Sequence, residues 1–298
     1  MADNLCSLAQ QSLPFKEIIV VDNLSADRSR EIISAHPGVI PMFLDYNSGY
    51  ARAANLGIDR STAPLILVAN SDIILEAGFN RLVAGKFAQD PDLDILSPLI
   101  LRFDRQTVDS AGQTPSASLF PKEIGFNRPI RQIELKEQPI FSVCGAATVF
   151  RRSALEKLKI DGEYYDEDFF IFWEDFDIGW RAHRLKLKTL FYPEAVVFHY
   201  RSGTLKKNFL SRFSLSLSRP AAIKYHLVKN RYLTLIKNFE LRRNWRALPF
   251  IILKDFIWVP LLTIGSPKII IRLMKTGKLL KRALLKRGLI KKRIRKHE

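Results

Sequence analysis

The sequence predicts an α/β fold, and three observations carry that prediction. Short continuous apolar runs, EIIVV at Glu17–Val21 and LILVA at Leu65–Ala69, read as strands buried in a parallel sheet. Helical stretches alternate with such runs, as in a doubly wound sheet. Asp22 and Asp72 sit at the ends of two of the strands, and ligands bind beyond the carboxyl ends of strands in sheets of this kind.

The chain opens on half of a helix, NLCSLAQQSL, ahead of the first strand. Asp22-Asn23 closes that strand, and a helix is expected over Ser25–Ser34. Val39–Leu44 reads as a strand, Tyr46-Asn47-Ser48-Gly49 as a turn and Ala51–Asp59 as a helix. Leu65–Ala69 ends in Asn70-Ser71-Asp72; a helix near Ala77–Gln89 and a strand over Leu93–Leu101 follow. Residues 103–138, rich in Pro, Gly, Ser and charge, read as a long irregular excursion over the site. Ser142–Phe150 returns as a strand in which Gly145 marks either close backbone approach to a ligand or a bulge. Thr189–Tyr192 and Ala195–Tyr200 are short strands around Pro193, with His199 near the end.

The most informative stretch is FFIFWEDFDIGWR, Phe169–Arg181, which sets Glu174, Asp175 and Asp177 between Trp173 and Trp180. Aromatic walls disfavour a charged carboxylate and push its pKa up, which suits a general base. Acids also favour the first turn of a helix, and Phe172, Phe176 and Trp180 at a four-residue spacing make a core stripe. The two readings are compatible, with the helix presenting Glu174 and Asp175 at its start. His199 reads either as a hydrogen-bonded strand histidine or, with Asp72, as a metal ligand. His36, His183, His226 and His297 lack such a context and read as surface residues.

Composition bounds the rest. The chain has 298 residues, 47% of them hydrophobic and 11% aromatic, which excludes a disordered protein. Its net charge of +17 is uneven: residues 1–200 hold 21 Lys and Arg against 27 Asp and Glu, and residues 201–298 hold 26 against 3. Such a tail seeks phosphate polymers or anionic lipid. Cys6 and Cys144 show no metal-ligand spacing and no disulfide framework, which fits a cytoplasmic location. Tyr225–Phe239 is a basic, aromatic helix candidate. Leu248–Ile264 is apolar but broken by Lys254, Asp255 and Pro260, too interrupted for a span of about 20 apolar residues. Ile269–Ile294 alternates Ile and Leu with Lys and Arg, as a helix lying on a membrane surface does. That interleaving favours an anionic membrane surface over nucleic acid.

Six stretches, EIIVVDNLSADRS, YNSGYARAANLGI, LILVANSDIIL, VCGAATVFRRSAL, YDEDFFIFWEDFDIGWR and YPEAVVFHYRSGT, occur in the order found in the family 2 inverting glycosyltransferases. The chain resembles their bacterial rhamnosyltransferase-like branch over roughly residues 5–204. The resemblance implies a GT-A fold over residues 1–204, followed by a basic helical membrane-associating tail over 205–298. It also implies a nucleotide-sugar donor, dTDP-rhamnose ahead of a UDP-sugar, a divalent ion (Mn2+ or Mg2+), and a lipid-linked or glycan acceptor at the inner face of the membrane. Matched residue by residue, Asp22 and Asn23 meet the nucleotide, Asn55 lies near it and Gly145 lies by the donor sugar. Asp72 and His199 hold the metal, Asp175, paired with Glu174, is the base, and Trp173 lines the acceptor site. The motif around Asp72 keeps a single carboxylate. The family's usual first strand, resembling VSIVIVNYN, has no counterpart ahead of LCSLAQQSL, which is read as a start placed too late, or else as a truncated copy. The alternative function is an inactive membrane-bound scaffold.

Overall fold

A computed structural model describes residues 1–200, 219–264 and 267–296. The proposed boundary at 204/205, the Arg201–Thr204 end of the last motif, and His297 lie outside the described residues. The helix α1 (Ala2–Ala9) leads into β1 (Ile18–Asp22), which pairs in parallel with β2 (Val39–Phe43) across α2 (Ser29–Ala35). After α3 (Tyr50–Arg60) come β3 (Leu65–Ala69) and β4 (Ile73–Leu75), which run in opposite directions around Asn70–Asp72. α4 (Phe79–Gln89) and β5 (Leu93–Arg102) follow.

Residues 103–138 are less irregular than their composition suggests. They fold as β6 (Val108–Ser110), β7 (Gln113–Pro115) and β8 (Pro121–Glu123), with β9 (Gln138–Pro139) closing the segment. The strand expected over Ser142–Phe150 is shorter, β10 (Ala147–Arg151), and Gly145 lies ahead of it. α5 (Arg152–Leu158), α6 (Glu174–Arg184) and β11 (Lys188–His199) complete the α/β body. β11 is one strand in place of the two expected, with an irregularity between Tyr192 and Val196 beside Pro193.

The main sheet has the order β3-β10-β5-β11-β4, with β6 and β9 alongside. It is mixed: β10 runs antiparallel to both β3 and β5. The parallel pair β1–β2 forms a sheet of its own, so the doubly wound expectation holds for the alternation of elements and not for sheet continuity. Among the described residues no strand pairs with β1 on its edge away from β2, or with β3 on its edge away from β10. This explains why residues 18–21 are only half-buried, although their sequence reads as a fully buried strand.

Consecutive residues on a strand point to opposite faces. Leu96 and Val149 therefore pack against Phe79, Val83 and Phe87 of α4, while Ile95 and Phe150 pack against Ile58, Leu155 and Ile178 of α3, α5 and α6.

The C-terminal region folds as α7 (Ala221–Asn238), α8 (Leu241–Asn244), α9 (Leu248–Ile264), α10 (Pro267–Met274) and α11 (Gly277–Arg295). The single amphipathic helix expected over Ile269–Ile294 is thus two. α7 and α11 do not stand apart from the body: Lys237, Asn238 and Lys286 are buried, and their amino and amide groups reach body carboxylates. No helix among the described residues is long and apolar enough to cross a membrane.

Candidate active site

The loop before α6 is held in an unfavourable backbone conformation. Phe170, Phe172 and Trp173 have φ of 68°, 69° and 73°, a left-handed region that costs side-chain-bearing residues about 1–3 kcal/mol each. α7 supplies the compensation. Asn230, fully buried, has its Nδ2 at 3.1, 2.7 and 2.8 Å from the carbonyl oxygens of Phe169, Ile171 and Phe172. Lys229 donates to the carbonyls of Asp168 and Phe169. Gly49, at the N-terminal end of α3, lets the loop come close: a Cβ there would sit 2.6 Å from the Phe170 carbonyl oxygen.

That loop delivers the first turn of α6. The Asp175 carboxylate accepts at Oδ2 from the Gly145 backbone N–H and the Gln113 Nε2, each at 2.9 Å, and at Oδ1 from the Phe176 N–H at 2.7 Å. Burial raises its pKa, and these three donors oppose the rise. At Gly145 the backbone closely approaches Asp175: a Cβ on it would lie 3.3 Å from both Cβ and Oδ2 of that residue. The Tyr50 hydroxyl donates to the Gly145 carbonyl at 3.1 Å, which fixes this backbone from its other side. Glu174 turns inward, 8% exposed, and among the described residues its Oε2 has no hydrogen-bond partner. Burial, with the Asp175 charge adding to it, pushes Glu174 up to about 8. Asp175 is partly exposed, and Glu174 is buried.

Asp72, His199 and Asp109 form a second cluster. His199 Nε2 is 3.3 Å from Asp72 Oδ1, and its Nδ1 is 2.8 Å from Asp109 Oδ2. Burial acts to lower the His199 pKa, but hydrogen bonds to the two carboxylates outweigh it and raise the ring to about 9. The His199 hydrogen bond holds Asp72 below the ordinary carboxylate range. Among the described residues no group of three or more His, Cys, Asp or Glu is placed to hold a metal ion. The pair Asp72–His199 still fits one in a limited way. Asp109 stands behind the ring as a carboxylate stands behind a ligating histidine. Two protein ligands suffice for Mg2+ or Mn2+ where phosphate oxygens complete the shell.

At the end of β1, Asp22 is buried and accepts from Arg30 Nε at 2.7 Å and from the Ser25 N–H at 3.3 Å. Burial opposes ionisation there, yet the Ser25 and Arg30 hydrogen bonds keep its pKa below the ordinary value. Asn23 accepts from the Ser48 N–H at 2.7 Å and donates to Asn47 Oδ1 at 3.2 Å, so the ends of β1 and β2 form one polar rim.

Three expected residues behave differently. Asn55 is committed within the body: its Oδ1 accepts from the Tyr165 N–H and its Nδ2 donates to the Tyr165 carbonyl, each at 2.8 Å. Trp173 is 5% exposed, its ring in edge contact with Phe120 and Phe176, so its side chain is core and offers no acceptor wall. His226 is not a surface residue: it stacks on Phe170 at 5.0 Å, and burial, with Lys229 nearby, lowers it to about 4.

The residues that sequence reasoning missed are Gln113, Asp109, Tyr50 and Asn230. Gln113 and Asp109 sit in the segment read as an excursion over the site, which foretold their place without naming them. Asn230 gave no local signal, because its partners lie about sixty positions earlier in the chain.

A family model described as glycosyl transferase family 2 matches residues 1–159. Poly-β-1,6-N-acetyl-D-glucosamine synthase of Staphylococcus epidermidis is 24% identical over 197 residues, 65% of this chain and 45% of that protein. N-acetylglucosaminyl-diphospho-decaprenol L-rhamnosyltransferase of Mycobacterium tuberculosis is 25% identical over 213 residues, 62% of this chain and 66% of that protein. The chain thus spans between about half and two thirds of the length of these relatives. The solved mannosyltransferase of Pyrobaculum calidifontis, in complex with GDP-Man and Mn2+, aligns with a TM-score of 0.52 at 15% identity, covering 99% of this chain and 82% of that one. The fold is GT-A, and the chain belongs to glycosyl transferase family 2.

Proposed function

We propose that the chain transfers a sugar from a nucleoside-diphosphate donor, with inversion at the anomeric carbon, to a hydroxyl of a lipid-linked or glycan acceptor in bacterial surface-glycan synthesis. The observation that carries this reading is the Asp175 carboxylate: raised in basicity by burial, oriented by Gly145, Gln113 and Phe176, and set on a helix start that a buried network holds in place. Inversion needs the acceptor hydroxyl deprotonated on the face opposite the leaving diphosphate, and Asp175 takes that proton. Glu174 beside it is held at about 8, so it stays largely protonated at neutral pH and leaves Asp175 as the charged carboxylate. The rim of Asp22 and Asn23 receives the nucleotide, and Gly145 leaves room for the donor sugar beside the base.

Asp72 and His199 are the residues that would hold a divalent ion, which when bound neutralises the departing diphosphate. The Mn2+ that accompanies GDP-Man in the solved mannosyltransferase complex supports that reading. The mycobacterial relative supports L-rhamnose, from dTDP-rhamnose, as the donor sugar, with a UDP-sugar next.

Membrane association at the cytoplasmic face is supported by the outer side of the tail. Phe250, Leu253 and Phe256 on α9, and Ile271 and Met274 on α10, are 52%, 60%, 79%, 57% and 80% exposed. Lys254, Lys268, Arg272 and Lys275 are interleaved with them, and each basic residue near an anionic surface contributes about 1 kcal/mol.

Donor binding and turnover by the full chain, with dTDP-rhamnose and UDP-sugars and with and without Mn2+, test the reading. Binding strengthened by Mn2+ and weakened in Asp72→Asn supports it. Binding of no donor returns the chain to an inactive scaffold.

A further inference from the structure

A cavity of about 360 Å³ lies where the end of α6 meets α8 and α11, and neither Asp175, Asp72, His199 nor Asp22 lines it. Its wall carries Arg184 from α6, Arg242 and Arg243 from α8, and Arg287, Lys291 and Arg295 from α11, against one carboxylate, Glu240. Glu240 is already engaged: it accepts from Arg184 and lies 3.4 Å from Arg243. Arg184 is 5% exposed, and among the described residues its Nε–H has no acceptor. Burial pushes its guanidinium below the ordinary value, Glu240 pulls it back, and Arg287 and Arg243 push it down again. Like charges gathered around a half-enclosed space repel unless an anion stands between them.

Basic residues at helix C-termini also answer the helix dipole, which accounts for Arg184 on α6 and Arg295 on α11. Arg287 also answers a helix end, since it donates to the Ile236 carbonyl in the last turn of α7 at 2.7 Å. The dipoles do not account for Lys291, which lies earlier on α11, or for an Nε–H that faces no acceptor.

We infer that this cavity binds a phosphate-bearing anion, a phosphomonoester or diphosphate, at a site separate from the reaction. Guanidinium groups recognise phosphate through paired hydrogen bonds, and several are converged here. The separation follows from helix geometry. Arg184 comes nine positions after Asp175 on α6, which puts it roughly 14 Å along the axis and on the opposite side of the helix. The group bound there is therefore neither the donor diphosphate nor the acceptor hydroxyl at Asp175.

The rim points to one source of the phosphate. Leu241, 60% exposed, borders the cavity, and Trp245, 59% exposed, follows one turn later. A lipid headgroup could enter the cavity while its chains lie along these side chains; a soluble diphosphate needs only the cations.

The test uses the full chain and two probes, and it requires no turnover. One is inorganic pyrophosphate, followed by calorimetry. The other is flotation with phosphatidylcholine vesicles, plain or doped with phosphatidic acid. Lys291→Gln with Arg295→Gln removes two exposed charges from the cavity wall. Lys278→Gln with Lys281→Gln removes two exposed charges elsewhere on the same helix. The cavity pair is expected to weaken binding of the doped vesicles about tenfold and the control pair by far less. An equal loss of pyrophosphate affinity assigns the cavity to soluble diphosphates as well; vesicle binding without pyrophosphate binding assigns it to a headgroup. Equal effects of the two pairs on both probes, or no binding of either probe, overturn the inference.

Discussion

In residues 1–200 the buried acids are of two kinds. Glu174 is held without a counter-charge, and Asp166 is held with two, Lys237 and Lys286, both from the C-terminal helices. In residues 219–296 the cations divide in the same way. Lys237 and Lys286 are committed to Asp166, and Arg282 pairs with Asp168 at 2.8 Å, while the cations around Arg184 crowd one another. Two regions of opposite net charge therefore neutralise each other at one internal interface and leave an unpaired acid at Glu174 and surplus charge around Arg184. Asp166 shows the first case in its titration: burial opposes ionisation, but the Lys237 and Lys286 charges bring its carboxyl far below the usual range. The basic tail is in large part a structural partner of the α/β body.

The comparison can be broken at its most exposed point. Asp175→Asn should lower turnover by about 10²–10⁴-fold while donor affinity stays near that of the wild type, measured by steady-state kinetics and calorimetry. Normal turnover in that variant would sink the assignment of the base. Lys286→Met should cost roughly 3–5 kcal/mol of stability in chemical denaturation, because it strips a buried acid of one partner. Adding Asp166→Asn should restore part of the loss, and a further additive loss would show that the two side chains do not interact.

Glu174 sharpens the contrast through pH. Its folded pKa of about 8 stands above the ordinary 4.5, so its contribution to stability is complete below about pH 4.5 and is lost as the pH climbs to about 8. Stability should therefore decline across that window, and Glu174→Gln should flatten the decline. An unaltered slope would mean that the carboxyl is not the buried, unpaired group described above. The smallest effect concerns the outward face of the tail. Phe256→Ser with Met274→Ser should weaken binding to anionic vesicles several-fold and leave fold stability nearly unchanged, since both side chains are largely exposed. A large loss of stability would show that this face is packed against something.

The local elements that carry the candidate site were legible before the fold. Asp22 and Asp72 announced themselves at strand ends, and Glu174-Asp175 by acids placed among aromatic residues. The body's strand at Leu65–Ala69 and its helix near Ala77–Gln89 lie where periodicity put them. Two expected residues meet a different setting in the fold, for one cause. Trp173 reads as a site aromatic, and Asn55 as a polar residue near the nucleotide, until the packing of Phe120 and the Tyr165 backbone claims them.

What the sequence determined by itself was the set of local elements, the acids at their ends and the charge imbalance between the two regions. Each depends on near neighbours in the chain, through apolar periodicity, turn chemistry and simple counting. Only the tertiary structure decided that β10 enters the main sheet antiparallel, that Gly145 and Gln113 hold the Asp175 carboxylate, and that Asn230 and Lys286 belong to the architecture of a loop far earlier in the chain. Hydrogen bonds and ion pairs between residues sixty to more than a hundred positions apart leave no periodic trace, because the chain between them folds on terms of its own.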